Sequence, residues 1–439
     1  MDQTKEALGM APAAKYIGSS DVQAAETVSG PARESERILA LDMLRGVAAL
    51  GILAMNIQYF SQVTAAYSNP TLTGSFTGFD FWLWLLSRVF FDEKMMAIFS
   101  LLYGAGIVLL TSRIEATGAG SFPIFLRRSF WLLIFGLLHA YLLWSGDILF
   151  SYAVCGMLVY PFRKWPARRL LVMGVLLLSV SSLIYLGYGW SMKSWPPQKI
   201  QVIEQQIWRP SPQQITTQVA AYRGSWLSQM SQRVPEAELL QVQAFLYLTL
   251  WRAGGLMLIG MALYRLRLLT GDLKISTYRN LGIIGCAIAI PIILYGVYRD
   301  IAENWDFRYA FFIGSQFNYW GSLGVALGWI SLVMIAGKTP SLRSWCRRFA
   351  AVGRMAFSNY ILETIVCTAI FYGYGLGQFG RLSRLEGVGI VLAIWLAIFA
   401  LSQVWMDHFY FGPLEWLWRS LTYKKLQTLR RTTGVPQPA

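Results

Sequence analysis

Few side chains in this sequence can do chemistry, and they stand where such groups are costly. His139, one of two histidines, lies inside the apolar run FPIFLRRSFWLLIFGLLHAYLL, and Asp147 follows eight residues later, past the turn Trp144-Ser145-Gly146. An ionisable group within an apolar span marks a site by default. Imidazole takes and returns protons near neutral pH, and a carboxylate across a tight hairpin can orient such a ring. Each also has a plainer reading: His139 as a ring hydrogen-bonded between helices, Asp147 as the cap of the next helix.

The remaining charges in apolar surroundings fall into three groups. Asp42 and Arg45, three apart in RILALDMLRG, share a helix face and can pair, or can hold an anion arriving from the nearer side. Arg88, Asp92, Glu93 and Lys94 place four charges within seven residues of FWLWLLSRVFFDEKMMAIF, so the helix there breaks or lines a wet cavity. Arg252 and Glu363 each fall near the middle of an apolar run. Unpaired, each costs ~2.5–3.5 kcal/mol on insertion scales, so an ion pair between them is the simplest expectation. A substrate phosphate or carboxylate in place of Glu363 is the alternative. His408, beside Asp407 at a helix end, reads as structural.

These groups must be positioned by a membrane bundle. Of 439 residues, 55% are hydrophobic and 14% charged, against roughly 25% charged in soluble domains. Ten apolar segments stand out, at about 38–60, 79–112, 122–144, 147–162, 168–190, 242–265, 277–298, 309–337, 349–375 and 385–406. All read as helices, since lone strands cannot satisfy their backbone in lipid. The expected fold is therefore an all-α polytopic transmembrane bundle.

The net charge of +15 lies in short clusters between the apolar runs, which is the positive-inside pattern and excludes nucleic acid as the expected partner. With the N-terminus in the cytoplasm, the inner connections hold Arg127, Arg128, Arg163, Lys164, Arg168 and Arg169, among others, while the short outer ones hold only Arg299, Arg308, Arg381 and Arg384. Both termini are thus expected inside. Residues 1–36, rich in Ala, Ser, Glu and Gly, read as a disordered cytoplasmic tail, 37–423 as the bundle, and 424–439 as a basic cytoplasmic tail. The first span then serves as its own insertion signal. Segment 191–240 lies outside, as a lid of short helices or as a plain connector. The four cysteines are scattered and draw neither a disulfide framework nor a metal site.

Several stretches together resemble the YeiB family of bacterial multipass membrane proteins: RILALDMLRGVAALGILAMNI, FDEKMMAIFSLLYGAGI, RRSFWLLIFGLLHAYLLWSGDILFSYAVCGMLV, WRAGGLMLIGMALYR, VGRMAFSNYILETIV and FGPLEWLWRSLTY. That family is similar to the wider group of transmembrane acyltransferases, including the acyltransferase-three proteins and heparan-alpha-glucosaminide N-acetyltransferase. The resemblance implies transfer of an acyl group from cytoplasmic acyl-CoA to an extracytoplasmic hydroxyl or amine, in the inner membrane and with no metal. In acyltransferase-three proteins the first span carries an LDGLRG-like start and a histidine eleven residues after its arginine. Here Leu41-Asp42-Met43-Leu44-Arg45-Gly46 matches the start, but the later position is Asn56.

Asparagine is no base, so His139 inherits that role. Asp147 is expected to hold its ring, Asn56 to hydrogen-bond the carbonyl or the acceptor, and Arg45 with its basic neighbours to bind the phosphates of acetyl-CoA or a close relative. Asp42, Arg88, Arg252 and Glu363 complete the expected substrate-binding set. The competing expectation is a transporter for an anionic metabolite, with Arg252 and Glu363 at the midplane and residues 88–94 along the path. A scaffold without chemistry gives no reason to bury so many charges. Association with further copies of the chain stays open.

Overall fold

The computed structural model describes residues 38–73 and 76–431 of the chain. The expected tail 1–36 and the end of the expected tail 424–439 lie outside the described residues.

The first helix, α1 (Leu39–Ser61), is followed by α2 (Gly78–Phe90) and α3 (Lys94–Glu115). The hairpin is α4 (Phe122–Leu138), a π-helical turn over His139–Leu143, and α5 (Leu149–Val159). Then come α6 (Ala167–Ser191) and three helices outside the apolar runs, α7 (Pro197–Ile207), α8 (Pro212–Arg223) and α9 (Met230–Glu238). The last of these continues through a π-helical stretch, Leu239–Thr249, into α10 (Leu250–Arg265). The chain finishes with α11 (Ile275–Ala302), α12 (Ser315–Gly337), α13 (Arg343–Arg354), α14 (Ala356–Phe371), α15 (Arg384–His408) and α16 (Pro413–Tyr423).

Among the described residues, eight helices, counted through their continuations, are long and apolar enough to cross a membrane. Large apolar side chains stand exposed on their outer faces, among them Leu176 and Leu183 on α6, Ile284 and Ile288 on α11, and Leu396 and Val404 on α15. That much exposed apolar surface is unusual for a soluble monomer and suits lipid. The chain is a multi-pass, all-α membrane protein.

Two of the ten expected segments form shorter helices. At 1.5 Å per residue, α5 reaches only about 16 Å and α14 about 24 Å, below the ~30 Å of hydrocarbon. The π-turn before α5 and the tight turn Tyr160–Lys164 with Pro161 after it limit the first. The expected segment 349–375 is cut at Met355, between α13 and α14.

Of the two outcomes expected for the charged stretch, the structure makes the break: α2 ends at Phe90, and Glu93 adopts the left-handed backbone (φ 67°) before α3 begins. Close helix packing explains Gly46. A Cβ there would lie 2.0 Å from the Phe349 carbonyl oxygen of α13, and one on Gly353 would lie 1.8 Å from that of Asp42.

Segment 191–240 is far from a slack connector. The Glu236 carboxylate accepts hydrogen bonds from the hydroxyls of Thr64 (2.7 Å), Ser145 (2.9 Å) and Tyr222 (2.8 Å) and from the Gln218 amide (2.7 Å). Burial, reinforced by the Glu236 carboxylate, pushes the Tyr222 phenol well above its ordinary range. Buried Arg233 donates to the Leu142 carbonyl at 2.9 Å. α8 and α9 tie down the hairpin that carries His139. Residues 424–431 also fold back, with the Tyr410 N–H on Leu429 O and the Arg431 N–H on His408 O, both at 2.9 Å.

Candidate active site

The hairpin closes because of local backbone chemistry. In the π-turn the Trp144 N–H reaches back five residues to the His139 carbonyl at 2.9 Å, a geometry often found at functional sites. Gly136 lets the second arm approach: a Cβ there would sit 2.4 Å from Phe150 N and 2.8 Å from Asp147 Oδ2. Asp147 then serves both roles read from the sequence. Its Oδ2 accepts the Phe150 N–H at the start of α5 (2.8 Å), and its Oδ1 lies 2.8 Å from His139 Nδ1.

The pair is dry, with side chains only 1% and 0% exposed. His139 Nε2 stands 3.0 Å from Thr364 Oγ1 on α14. An ionised carboxylate only accepts, so in the neutral ring the proton sits on Nδ1 and Nε2 offers its lone pair to the threonine hydroxyl. Trp144 stacks on Phe60 of α1, with ring centroids 4.1 Å apart, and Tyr360 brings its ring to 5.0 Å from the imidazole.

A cavity of about 330 Å³ leads toward this pair from the end of the bundle where the basic clusters lie. Five arginines line it, Arg45, Arg113, Arg128, Arg354 and Arg419, against two carboxylates, Asp42 and Glu415. The remaining wall is mostly apolar, and at the hairpin end stand Ile148, Leu149, Tyr152 and Tyr360. His139 itself is not in the lining. Tyr360 touches both the cavity and the imidazole, and its hydroxyl has no hydrogen-bond partner among the described residues.

The arginines are crowded. Arg45 pairs with Asp42 at 2.8 Å, and Arg128 lies 3.6 Å over the Trp418 ring. Burial, with the guanidinium of Arg128 and more weakly that of Arg45, pushes Arg419 down to about 10. Glu415 caps the start of α14 through the N–H groups of Phe357 (2.7 Å) and Ser358 (3.1 Å), and burial raises its carboxyl against those hydrogen bonds. Among the described residues, the cavity lining thus carries more arginines than carboxylates.

Other expected residues fall elsewhere. Arg252 does not pair with Glu363; it meets Glu93 at 2.9 Å and donates to Tyr319 O and Ser322 Oγ at 3.1 and 2.7 Å. The kink that places Glu93 in left-handed backbone delivers this nearer partner. Glu363 is buried one residue before Thr364, and its Oε1 has no hydrogen-bond partner among the described residues. Arg88 pairs with Asp92 and lies outside the cavity lining.

Asn56 continues the face of α1 formed by Arg45, Ala49 and Ile52, one turn beyond the cavity wall. Among the described residues it makes no hydrogen bond to His139 or Asp147. The α1 residues that meet the hairpin are Tyr59, 3.3 Å from Ser145 Oγ, and Phe60. His408 is exposed, with Nδ1 2.9 Å from the Val404 carbonyl, in keeping with a structural role. The sequence reading missed Thr364, Tyr360, Glu415 and Arg419. The i, i+4 spacing of Tyr360 with Thr364 and of Glu415 with Arg419 was the available signal, and it does not separate a site from ordinary packing.

Comparison with known proteins places the chain. It is 32% identical to the uncharacterized protein YeiB of Escherichia coli K12 over 400 residues, 89% of this chain and 97% of the relative. The chain belongs to the YeiB family. It is also 30% identical over 420 residues to the uncharacterized protein YxaH of Bacillus subtilis 168, covering 92% of this chain and 99% of that one. A third relative, an uncharacterized 39.9 kDa protein from the amylase 3' region of Bacillus acidopullulyticus, is 27% identical over 401 residues, 90% of this chain and 96% of its own. Residues 263–425 match the model of a protein family of unknown function, DUF418. No solved structure matches.

Proposed function

We propose that this YeiB-family protein is a transmembrane acyltransferase, allied to the acyltransferase-three group, that moves an acyl group, acetyl in the simplest case, from cytoplasmic acyl-CoA to an extracytoplasmic hydroxyl or amine. In this reading the bundle has ten membrane segments with both termini in the cytoplasm of an inner membrane, so the arginine-lined mouth faces the donor. The observation that carries the proposal is one cavity whose described lining holds five arginines and Tyr360, the latter against the buried His139–Asp147 pair.

The adenosine and pyrophosphate portion of the donor lies at the mouth near Arg45, and the apolar walls take the pantetheine arm. The thioester reaches the end at Tyr360, and swinging of that ring gives it access to the imidazole. His139 accepts the proton of the attacking group through Nε2, Asp147 stabilises the imidazolium that forms, and the same proton then neutralises the departing thiolate. Asn56, on the cavity-facing side of α1, meets the carbonyl or the acceptor once substrate is bound.

The alternative, a carrier of an anionic metabolite, draws less support. Arg252 is neutralised by Glu93, and none of Arg88, Arg252 or Glu363 lines the cavity. The test uses full-length protein in lipid nanodiscs. Acetyl-CoA binds by calorimetry, and His139→Ala abolishes acetyl transfer while keeping the melting temperature within a few degrees of the parent. Unchanged turnover in that variant removes the proposed base, and absence of acetyl-CoA binding removes the reading.

A further inference from the structure

Three groups from two distant parts of the chain stand in one line: Asp147 Oδ1, 2.8 Å from His139 Nδ1, and His139 Nε2, 3.0 Å from Thr364 Oγ1. A carboxylate orienting an imidazole whose other nitrogen meets a hydroxyl is the geometry of an activated nucleophile, recognised by role and distance rather than by fold. The hydroxyl has one proton and two acceptors in reach, since the Tyr360 carbonyl lies 3.2 Å away. The hydroxyl lies closer to Nε2 (3.0 Å) than to that carbonyl, and donation to Nε2 is the arrangement that makes Oγ1 nucleophilic. Both ring nitrogens are engaged, and the side chains of all three groups are buried.

We infer that Thr364 is the nucleophile, and that the enzyme works through an acyl-threonine intermediate. This rests on the acyltransferase reading above. The Thr364 Oγ1–carbon bond forms as the hydroxyl attacks the thioester carbonyl, with its proton passing to His139 Nε2. The carbon–sulfur bond then breaks, and that proton goes to the sulfur, releasing CoA as the thiol. In the second half the acceptor hydroxyl or amine gives its proton to Nε2 and attacks the ester carbonyl; the Thr364 oxygen leaves and takes the proton back. Tyr360, one turn earlier on α14, stands between the cavity and the triad. Its phenol, which donates to no acceptor among the described residues, serves the oxyanion, and its rotation both admits the thioester and brings that hydroxyl into use.

A two-step route suits a protein whose donor and acceptor come from opposite faces. The acyl group rests on the chain between their visits, so the two substrates need never share the site.

The experiment is to incubate the full-length protein in nanodiscs with radiolabelled acetyl-CoA and no acceptor, quench, digest and map the label by mass spectrometry. Label approaching one acetyl per chain is expected on the peptide that contains Thr364, surviving neutral hydroxylamine as an oxygen ester does and an acyl-imidazole does not. Thr364→Ala loses the label, and Thr364→Ser retains it. Label on His139, or acetyl transfer at the parent rate by Thr364→Ala, overturns the threonine nucleophile and leaves the acyltransferase reading standing. Failure to bind acetyl-CoA at all overturns both.

Discussion

The Arg252 network and the His139 hairpin both hide ionisable groups inside the bundle, and they differ in what surrounds them. Around Arg252 every charge is answered locally. Arg252 meets Glu93, Arg88 meets Asp92, and the Lys94 ammonium, fully buried, donates to Asn318 Oδ1 and, at 2.6 Å, to the Arg88 carbonyl. None of these residues lines the cavity. At the hairpin the satisfied His139–Asp147 pair stands one ring away from a void whose described lining holds five arginines and two carboxylates. Buried charge in a membrane protein therefore does not by itself identify a site; adjacency to accessible volume does.

Substitutions can break that contrast or sharpen it. The largest effect is expected from Arg252→Ala, which strands Glu93 and loses ~3–5 kcal/mol of stability as a broken buried pair does. Thermal unfolding in nanodiscs measures it, and a variant that melts normally would show that the Arg252 network is not structural. Asp147→Asn is expected to reduce acetyl transfer by ~10²–10⁴-fold, the range of general acid–base assistance, with far less effect on melting. Equal losses of stability in the two variants would erase the distinction between the regions.

At the cavity mouth, Arg45→Ala is expected to weaken acetyl-CoA binding by ~10–100-fold, the loss of one charge-assisted contact of ~1.5–3 kcal/mol, and to flatten the salt dependence of binding. Arg419→Gln is the most delicate case, because two of its effects have opposite signs. Its cation is disfavoured in the folded state by burial and by Arg128, a cost present below about pH 10 and lost as pH rises through that value. Removing the charge is expected to raise the melting temperature of the ligand-free protein slightly at pH 7 and to weaken acetyl-CoA binding. If both quantities fell together, the mouth would be a structural ion network like that around Arg252.

Much of the architecture was legible from residue order. Apolar runs such as 168–190 have one physical solution in lipid, and the charges at 88–94 called for a break or a wet cavity, of which Glu93 makes the break with its left-handed backbone. The His139–Asp147 pair was legible as one of two readings, since a carboxylate past a tight turn can cap the next helix or hold the ring, and Asp147 does both. Asn56 was read from its place eleven residues after Arg45, yet spacing along one helix does not say which residues meet a neighbour, and it is Tyr59 and Phe60 that contact the hairpin.

The partner of Arg252 shows the other boundary. From sequence, Glu363 and Glu93 were both available carboxylates, and only the packing of α10 against α3 gave the place to Glu93. Thr364 belongs to the same class: a β-branched residue in an apolar helix, indistinguishable from filler until α14 brings it to 3.0 Å from a ring 225 positions earlier. The sequence alone determined what must be buried and which neighbours along the chain must meet. Tertiary structure decided which distant groups share a face, because helix rotation and crossing are set by side-chain packing summed over the whole bundle and are written at no single position.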